Sequence, residues 1–172
     1  QLFLAWGVFG GTPYYLDGID LDADLGTVIQ QSLLSRQGFL HDEPEYVLRT
    51  ELTDPNRYFA ILKAIAAGNT TSNEIAQTVG IDSKQISTYT QKLERLRLVE
   101  REVPITEEKT KSQRGRYRIL DPLFRFWFRF VYGNEDRYER LGTDAYEAVI
   151  EPELADFVSQ TFENRCQDIL PE

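Results

Sequence analysis

Methionine is absent from this chain, and histidine and cysteine occur once each, as His41 and Cys166. One thiol cannot close an internal disulfide, and with a single imidazole neither a zinc site nor a Cys/His catalytic pair can be assembled within the chain. The helical spacing of Phe162, Cys166, Ile169 and Leu170 makes the cysteine read as a small buried hydrophobe, not a reactive thiol. Long apolar runs are missing too. Nothing approaches the roughly 20 residues needed to cross a bilayer, and the stretch from Leu2 to Phe9 lacks the basic flank of a secretory signal. A soluble, cytoplasmic protein with no membrane partner is expected. A chain that begins at Gln1 and holds no Met is also expected to be a piece of a longer translated product.

Phosphate-binding loops are likewise lacking, because Gly10-Gly11 is followed by no Gly-Lys-Ser/Thr. The acidic groups Glu151/Glu153 and Asp17/Asp20/Asp22/Asp24 have no Gly-centred calcium-loop pattern and read as solvated surface. The expectation is therefore a chain that is not itself an enzyme and has no catalytic, cofactor or metal site of its own.

Positive charge is scarce overall, with 19 Lys and Arg against 28 Asp and Glu for a net charge of −9. That balance excludes a protein that coats nucleic acid over its whole surface. The acidic excess, with Arg commoner than Lys, would also suit a halophile. The basic residues are unevenly placed, however. From Asp82 to Arg118 there are ten (Lys84, Lys92, Arg95, Arg97, Arg101, Lys109, Lys111, Arg114, Arg116, Arg118) against six acids, a local +4 that leaves −13 elsewhere. Such asymmetry marks a local electrostatic footprint.

What is present is helical periodicity. With 172 residues, 41% of them hydrophobic, the chain can bury one good core or two small ones. An apolar start runs into a Gly-Gly/Pro turn, and a helix is predicted from Asp22 or Asp24 through Leu25, Val28, Ile29, Ser32 and Leu33 to a stop at Gly38. A second helix is predicted from Glu43 to Leu52. Asp54 reads as the N-cap, with Pro55 at the first position, of a helix to Ala67. Ser72-Asn73-Glu74 opens a short helix that Gly80 ends. Asp82 and Ser83 cap a third, whose inward stripe is Ile86, Tyr89, Leu93 and Leu96. Two extended runs follow, Leu98 to Ile105 and Arg116 to Ile119, as a hairpin with a long basic tip. Asp121-Pro122 then caps an aromatic helix, Leu123 to Val131, and Asp144 to Leu170 reads as one or two amphipathic helices broken near Pro152.

The fold expected is mainly α with a small β-hairpin: a winged helix-turn-helix, roughly Asp54 to Leu120, flanked by helical segments. The divisions are 1–52, 53–120 and 121–172. The solvent face of the third helix would display Lys84, Gln85, Ser87, Thr88, Gln91, Lys92 and Arg95, a mixture that suits a DNA groove. The hairpin tip would bring Lys109, Lys111, Arg114 and Arg116 to phosphates. Double-stranded DNA is the partner this predicts. The same fold also serves protein contacts alone, so an interdomain or oligomerisation module without DNA binding stays open, with the aromatic helix as its docking element and a homo-oligomer as one form of it.

Taken together, several segments resemble a family of archaeal ATPases that join a P-loop, AAA+-like domain to a winged helix and a restriction-endonuclease-like domain. They are Gly10-Gly-Thr-Pro-Tyr-Tyr-Leu16, Tyr58-Phe-Ala-Ile-Leu-Lys-Ala-Ile-Ala-Ala-Gly68, Val103-Pro-Ile-Thr106, Tyr117-Arg-Ile-Leu-Asp121, Phe126-Trp-Phe-Arg-Phe-Val131 and Phe162-Glu163. The resemblance implies that 1–52 is the helical lid at the end of the ATPase domain. It implies that 121–172 is a linker and the start of the nuclease-like domain, with Glu163 at an early acidic position. ATP and Mg, with the residues that bind them, would belong to the parent protein outside this chain. The flanking ATPase and nuclease-like domains would be its partners, and the winged helix would couple nucleotide state to DNA or to the nuclease-like domain.

Overall fold

The computed structural model describes residues 2–103 and 115–169. In chain order the elements are α1 (Leu2–Phe9), α2 (Pro13–Asp17), α3 (Leu25–Ile29, continued by a π turn Gln30–Leu34), α4 (Glu43–Glu51), α5 (Pro55–Ala66), α6 (Ser72–Val79) and α7 (Ser83–Arg95). Strands β1 (Val99–Glu102) and β2 (Arg116–Ile119) come next, followed by α8 (Pro122–Phe126, continued by a π turn Trp127–Val131) and α9 (Glu135–Leu141). A π turn, Tyr146–Ile150, leads into α10 (Glu151–Ile169). The protein is mainly α with one small antiparallel sheet. It divides into two compact units, Leu48–Arg129 and a second made of Gln1–Val47 with Phe130–Glu172. The ends that the sequence presents as separate segments thus contribute to one unit.

In the unit Leu48–Arg129, α5, α6 and α7 follow one another and lead directly into the hairpin. Phe59, Ile61, Leu62 and Ile65 of α5, Ile75 of α6 and Ile86 and Leu93 of α7 are its buried apolar positions. α6 starts with a reciprocal cap. The Thr71 hydroxyl accepts from the Glu74 N–H at 3.3 Å, and the Glu74 carboxylate accepts from the Thr71 N–H at 2.9 Å. The cap is thus one residue earlier than Ser72. Gly80 closes α6 in the left-handed conformation, φ 75°, where a side chain would be strained. Asp82 then caps α7, accepting from the Lys84 N–H at 2.8 Å. Asp54 stands at the N-cap position of α5 but its side chain caps nothing, because its backbone (φ −130°, ψ 83°) does not aim the carboxylate at the first turn.

α7 ends on a left-handed residue that is not glycine. Arg97 has φ 56°; its N–H donates to the Glu94 carbonyl and the Leu98 N–H to the Leu93 carbonyl. This is the same terminating loop that α5 makes with Gly68 at φ 98°. A Cβ in that conformation costs about 1–2 kcal/mol, against the ~0.5–1 kcal/mol of extra unfolded-state freedom that glycine brings. Arg97→Gly is therefore expected to stabilise the unit by about 0.5–1 kcal/mol in urea unfolding, and a loss of stability would refute this account of the loop.

The strands pair Val99 with Ile119, Glu100 with Arg118, Arg101 with Tyr117 and Glu102 with Arg116. Val99, Tyr117 and Ile119 face inward and are buried. Beyond β2, the Asp121 carboxylate caps α8, accepting from the Phe124 N–H at 3.1 Å. Burial pushes this carboxyl above its ordinary 3.8, and the backbone hydrogen bonds from Phe124 and Leu123 offset only part of that. A raised folded-state value means that Asp121 contributes its stability fully below pH 3.8 and loses it as pH rises through the raised value. Asparagine keeps the cap without the charge. Asp121→Asn is accordingly expected to be more stable relative to wild type at neutral pH than in acid, as read by thermal melts between about pH 3 and 7. An unchanged difference across that range would remove the buried charge as the cause.

The unit formed by Gln1–Val47 and Phe130–Glu172 packs α1 on α10. A Cβ at Gly7 would come within 2.9 Å of Val158, and the Phe3 and Phe162 rings stack with centroids 3.3 Å apart. Asp24 caps α3 through the Thr27 N–H at 3.1 Å. The buried Tyr138 hydroxyl donates to the Phe130 carbonyl, and burial raises its pKa. Three expectations do not hold here. The α3 helix ends at Leu34, where Ser35 turns extended; Gly38 sits in the following turn, close against the Ser32 carbonyl. Pro152 breaks nothing: it is the second residue of α10, and the wider π turn before it gives its ring room that a regular helix would deny. Cys166 is exposed, not buried, so the apolar period around it does not carry it into the core.

Candidate nucleic-acid interface

α7 is the element on which the groove-facing residues were expected, and the structure brings them to one side of it. Lys84, Gln85, Ser87, Thr88, Gln91 and Arg95 are exposed, while Lys92 is half-buried. Lys84, Ser87, Thr88, Gln91 and Arg95 recur at spacings of three and four and so form a single stripe. The opposite side holds Ile86, Thr90 and Leu93, all buried, with Tyr89 and Leu96 half-buried at its margins. Tyr89 meets Tyr58 of α5 edge-on at 5.2 Å. Thr90 is the inward residue that sequence reasoning passed over. Its position four after Ile86 and three before Leu93 is the signal that marks it.

Two stripe residues bond to their own helix. The Ser87 hydroxyl donates to the Lys84 carbonyl at 2.9 Å, and Arg95 Nε donates to the Gln91 carbonyl at 3.3 Å. The Arg95 bond uses Nε and leaves the two Nη groups out of that contact, whereas Ser87 commits its one proton to the helix and keeps only the lone pairs of Oγ.

On the hairpin, Arg116 is exposed at the start of β2. It lies close enough to the exposed Glu74 to help hold that carboxyl below its usual 4.5, an effect due first to the backbone and side-chain hydrogen bonds from Thr71. Lys109, Lys111 and Arg114 lie outside the described residues. Arg118 is held between two carboxylates of β1, Glu100 at 2.9 Å and Glu102. Arg101 lies over Gly115, where a Cβ would come within 2.3 Å of its Nε. Half-burial, with Arg129 and Arg118 nearby, brings the Arg125 guanidinium of α8 down to about 10, so it remains charged at neutral pH. Among the described residues no group of His, Cys, Asp and Glu is placed to hold a metal ion, and no helix is long and apolar enough to cross a membrane.

The aromatic residues of α8 and its π turn are buried within the chain. Leu123, Phe124, Phe126, Trp127 and Phe128 are each at most 5% exposed. Phe59 sits edge-on to Phe128 at 5.7 Å and to Trp127 at 6.5 Å. The docking element expected for a partner is thus already spent on the core.

A family model described as "Archaea bacterial proteins of unknown function" matches residues 127–172. Over its 172 residues the chain is 30% identical to an uncharacterized protein of Methanocaldococcus jannaschii, and it spans 38% of that relative's length. No solved structure matches the chain.

Proposed function

We propose that Leu48–Arg129 is a winged helix that holds double-stranded DNA, with α7 in the major groove and the basic hairpin on phosphates. The observation that carries this reading is the separation of charge between the two units. Leu48–Arg129 has fifteen Lys and Arg against ten Asp and Glu, giving +5, whereas the other unit has four against eighteen, giving −14. An acidic chain that gathers its cations on the unit bearing a capped helix-turn-helix and a hairpin has the electrostatic footprint of a local phosphate contact. Lys84, Gln85, Ser87, Thr88, Gln91, Lys92 and Arg95 take the groove role and Arg116 a phosphate. Lys109, Lys111 and Arg114 join it on their charge alone.

The sequence resemblance and the greater length of the Methanocaldococcus jannaschii relative support a longer parent: a P-loop ATPase whose winged helix couples nucleotide state to DNA or to a nuclease-like domain. ATP and Mg would bind in that parent, and no residue described above is assigned to either.

The test is fluorescence anisotropy of a labelled mixed-sequence duplex titrated with this chain across a salt series. Binding should weaken log-linearly with salt, with a slope of about −3.5 to −5.5 for four to six phosphate contacts. No binding even at low salt would overturn the DNA reading and leave the interdomain module in its place.

A further inference from the structure

We infer that Tyr117 is a positioning residue that sets the hairpin against α7 in the arrangement DNA contact requires; this rests on the DNA reading above. β2 has four residues, too few for its pairing with β1 alone to fix how the hairpin stands on the helices. Tyr117 supplies the missing constraints. Its backbone N–H donates to the Thr70 carbonyl at 2.7 Å, tying the strand to the segment that enters α6. Its hydroxyl lies 3.1 Å from Thr90 Oγ1, in the middle of α7. Both side chains are buried, Tyr117 at 4% and Thr90 at 0% exposure. Thr90 Oγ1, the donor toward the Tyr117 hydroxyl, also lies 3.1 Å from the Ile86 carbonyl and 3.3 Å from the Ser87 carbonyl, so the hydroxyl pair joins the strand to the backbone of α7.

The identity of the residues argues for geometry. A Phe/Val pair of similar shape would fill the same space at nearly the same stability, since replacing both partners of a buried hydrogen bond by apolar groups is close to neutral. Apolar contact such as that of Val99 and Ile119 is non-directional and tolerates sliding, whereas a hydroxyl pair does not. Because side chains alternate along a strand, the residue fixed inward at 117 also fixes where Arg116 emerges outward. The groove stripe of α7 and the exposed arginine of β2 are thereby held at one separation, which a rigid duplex demands.

The experiment compares wild type, Tyr117→Phe, Thr90→Val and the double variant in the anisotropy and salt titration, with thermal melts of each. Ile65→Val, a buried change on α5, serves as the control for mere destabilisation. Tyr117→Phe should lower Tm by no more than about 4–8 °C, as for loss of one hydrogen bond. It should weaken DNA binding about fivefold to tenfold and reduce the salt slope by about one, as Arg116 leaves its phosphate. Thr90→Val should do the same and the double variant no more than either, because one pair is being removed. Ile65→Val should lower Tm and leave affinity and slope unchanged. If wild type binds and Tyr117→Phe binds with the same affinity and slope, the positioning role is wrong and the DNA reading stands. If wild type does not bind, the DNA reading fails and the inference with it.

Discussion

Changing Lys84, Gln91 and Arg95 together to alanine is expected to weaken duplex binding by on the order of a hundredfold at ~0.1 M salt, and to cut the salt slope by about two. The size follows from what is removed. Two cations that each neutralise a phosphate through a charge-assisted hydrogen bond account for both the slope and most of the loss, and Gln91 adds a base-edge or phosphate contact. All three sit on the exposed stripe, opposite Ile86, Thr90 and Leu93, so none supports the core. Alanine is the best helix former, and the Asp82 cap remains in place. The circular dichroism spectrum and Tm should therefore stay close to wild type. A variant that folds normally and binds DNA as wild type does would show that α7 is not the groove helix.

The largest effect on stability is expected at Phe59. Its side chain is fully buried in α5, edge-on to Phe128 and Trp127, with the Arg49 guanidinium 5.4 Å from its ring centre. Removing a ring from such a site costs about 3–5 kcal/mol, the transfer term plus the cavity left behind. For a unit of this size that corresponds to a fall in Tm on the order of 15–30 °C. Phe59→Leu should cost less than half of it, since most of the volume stays. Tyr46→Ala, at a residue 71% exposed, should change Tm little. Thermal melts of the three variants decide the matter. A drop at Phe59→Ala no larger than at Tyr46→Ala would mean that the α5–α8 aromatic packing is not what holds this unit together.

Helix starts were legible because they are local. A capping side chain and the N–H it accepts from lie two or three residues apart, so Asp24, Asp82 and Asp121 could be placed from the sequence, and Thr71 missed by one. The α7 face was legible for the same reason, through its period. Two helices escaped notice. α2 begins at Pro13, just after a Gly-Gly pair that signals a turn, and α9 is seven residues with little apolar period, its one buried anchor being Tyr138. Neither carries a pattern strong enough to read without knowing what it packs on. At Pro152 the local rule for proline was sound, and the π turn that overrides it has no sequence signature.

By itself, then, the sequence determined the mainly α class, the order of three helices and a hairpin, and the gathering of positive charge between Asp82 and Arg118. Each of these is a property of neighbouring residues: a cap, a period or a count. Only the tertiary structure decided which residues meet across the chain. It joined Tyr117 to Thr90 over 27 positions, held Arg118 between Glu100 and Glu102, buried the aromatic residues of α8, and left Cys166 in solvent. Those outcomes depend on what packs against a face once the chain has folded, and periodicity can say that a face is apolar without saying what will cover it.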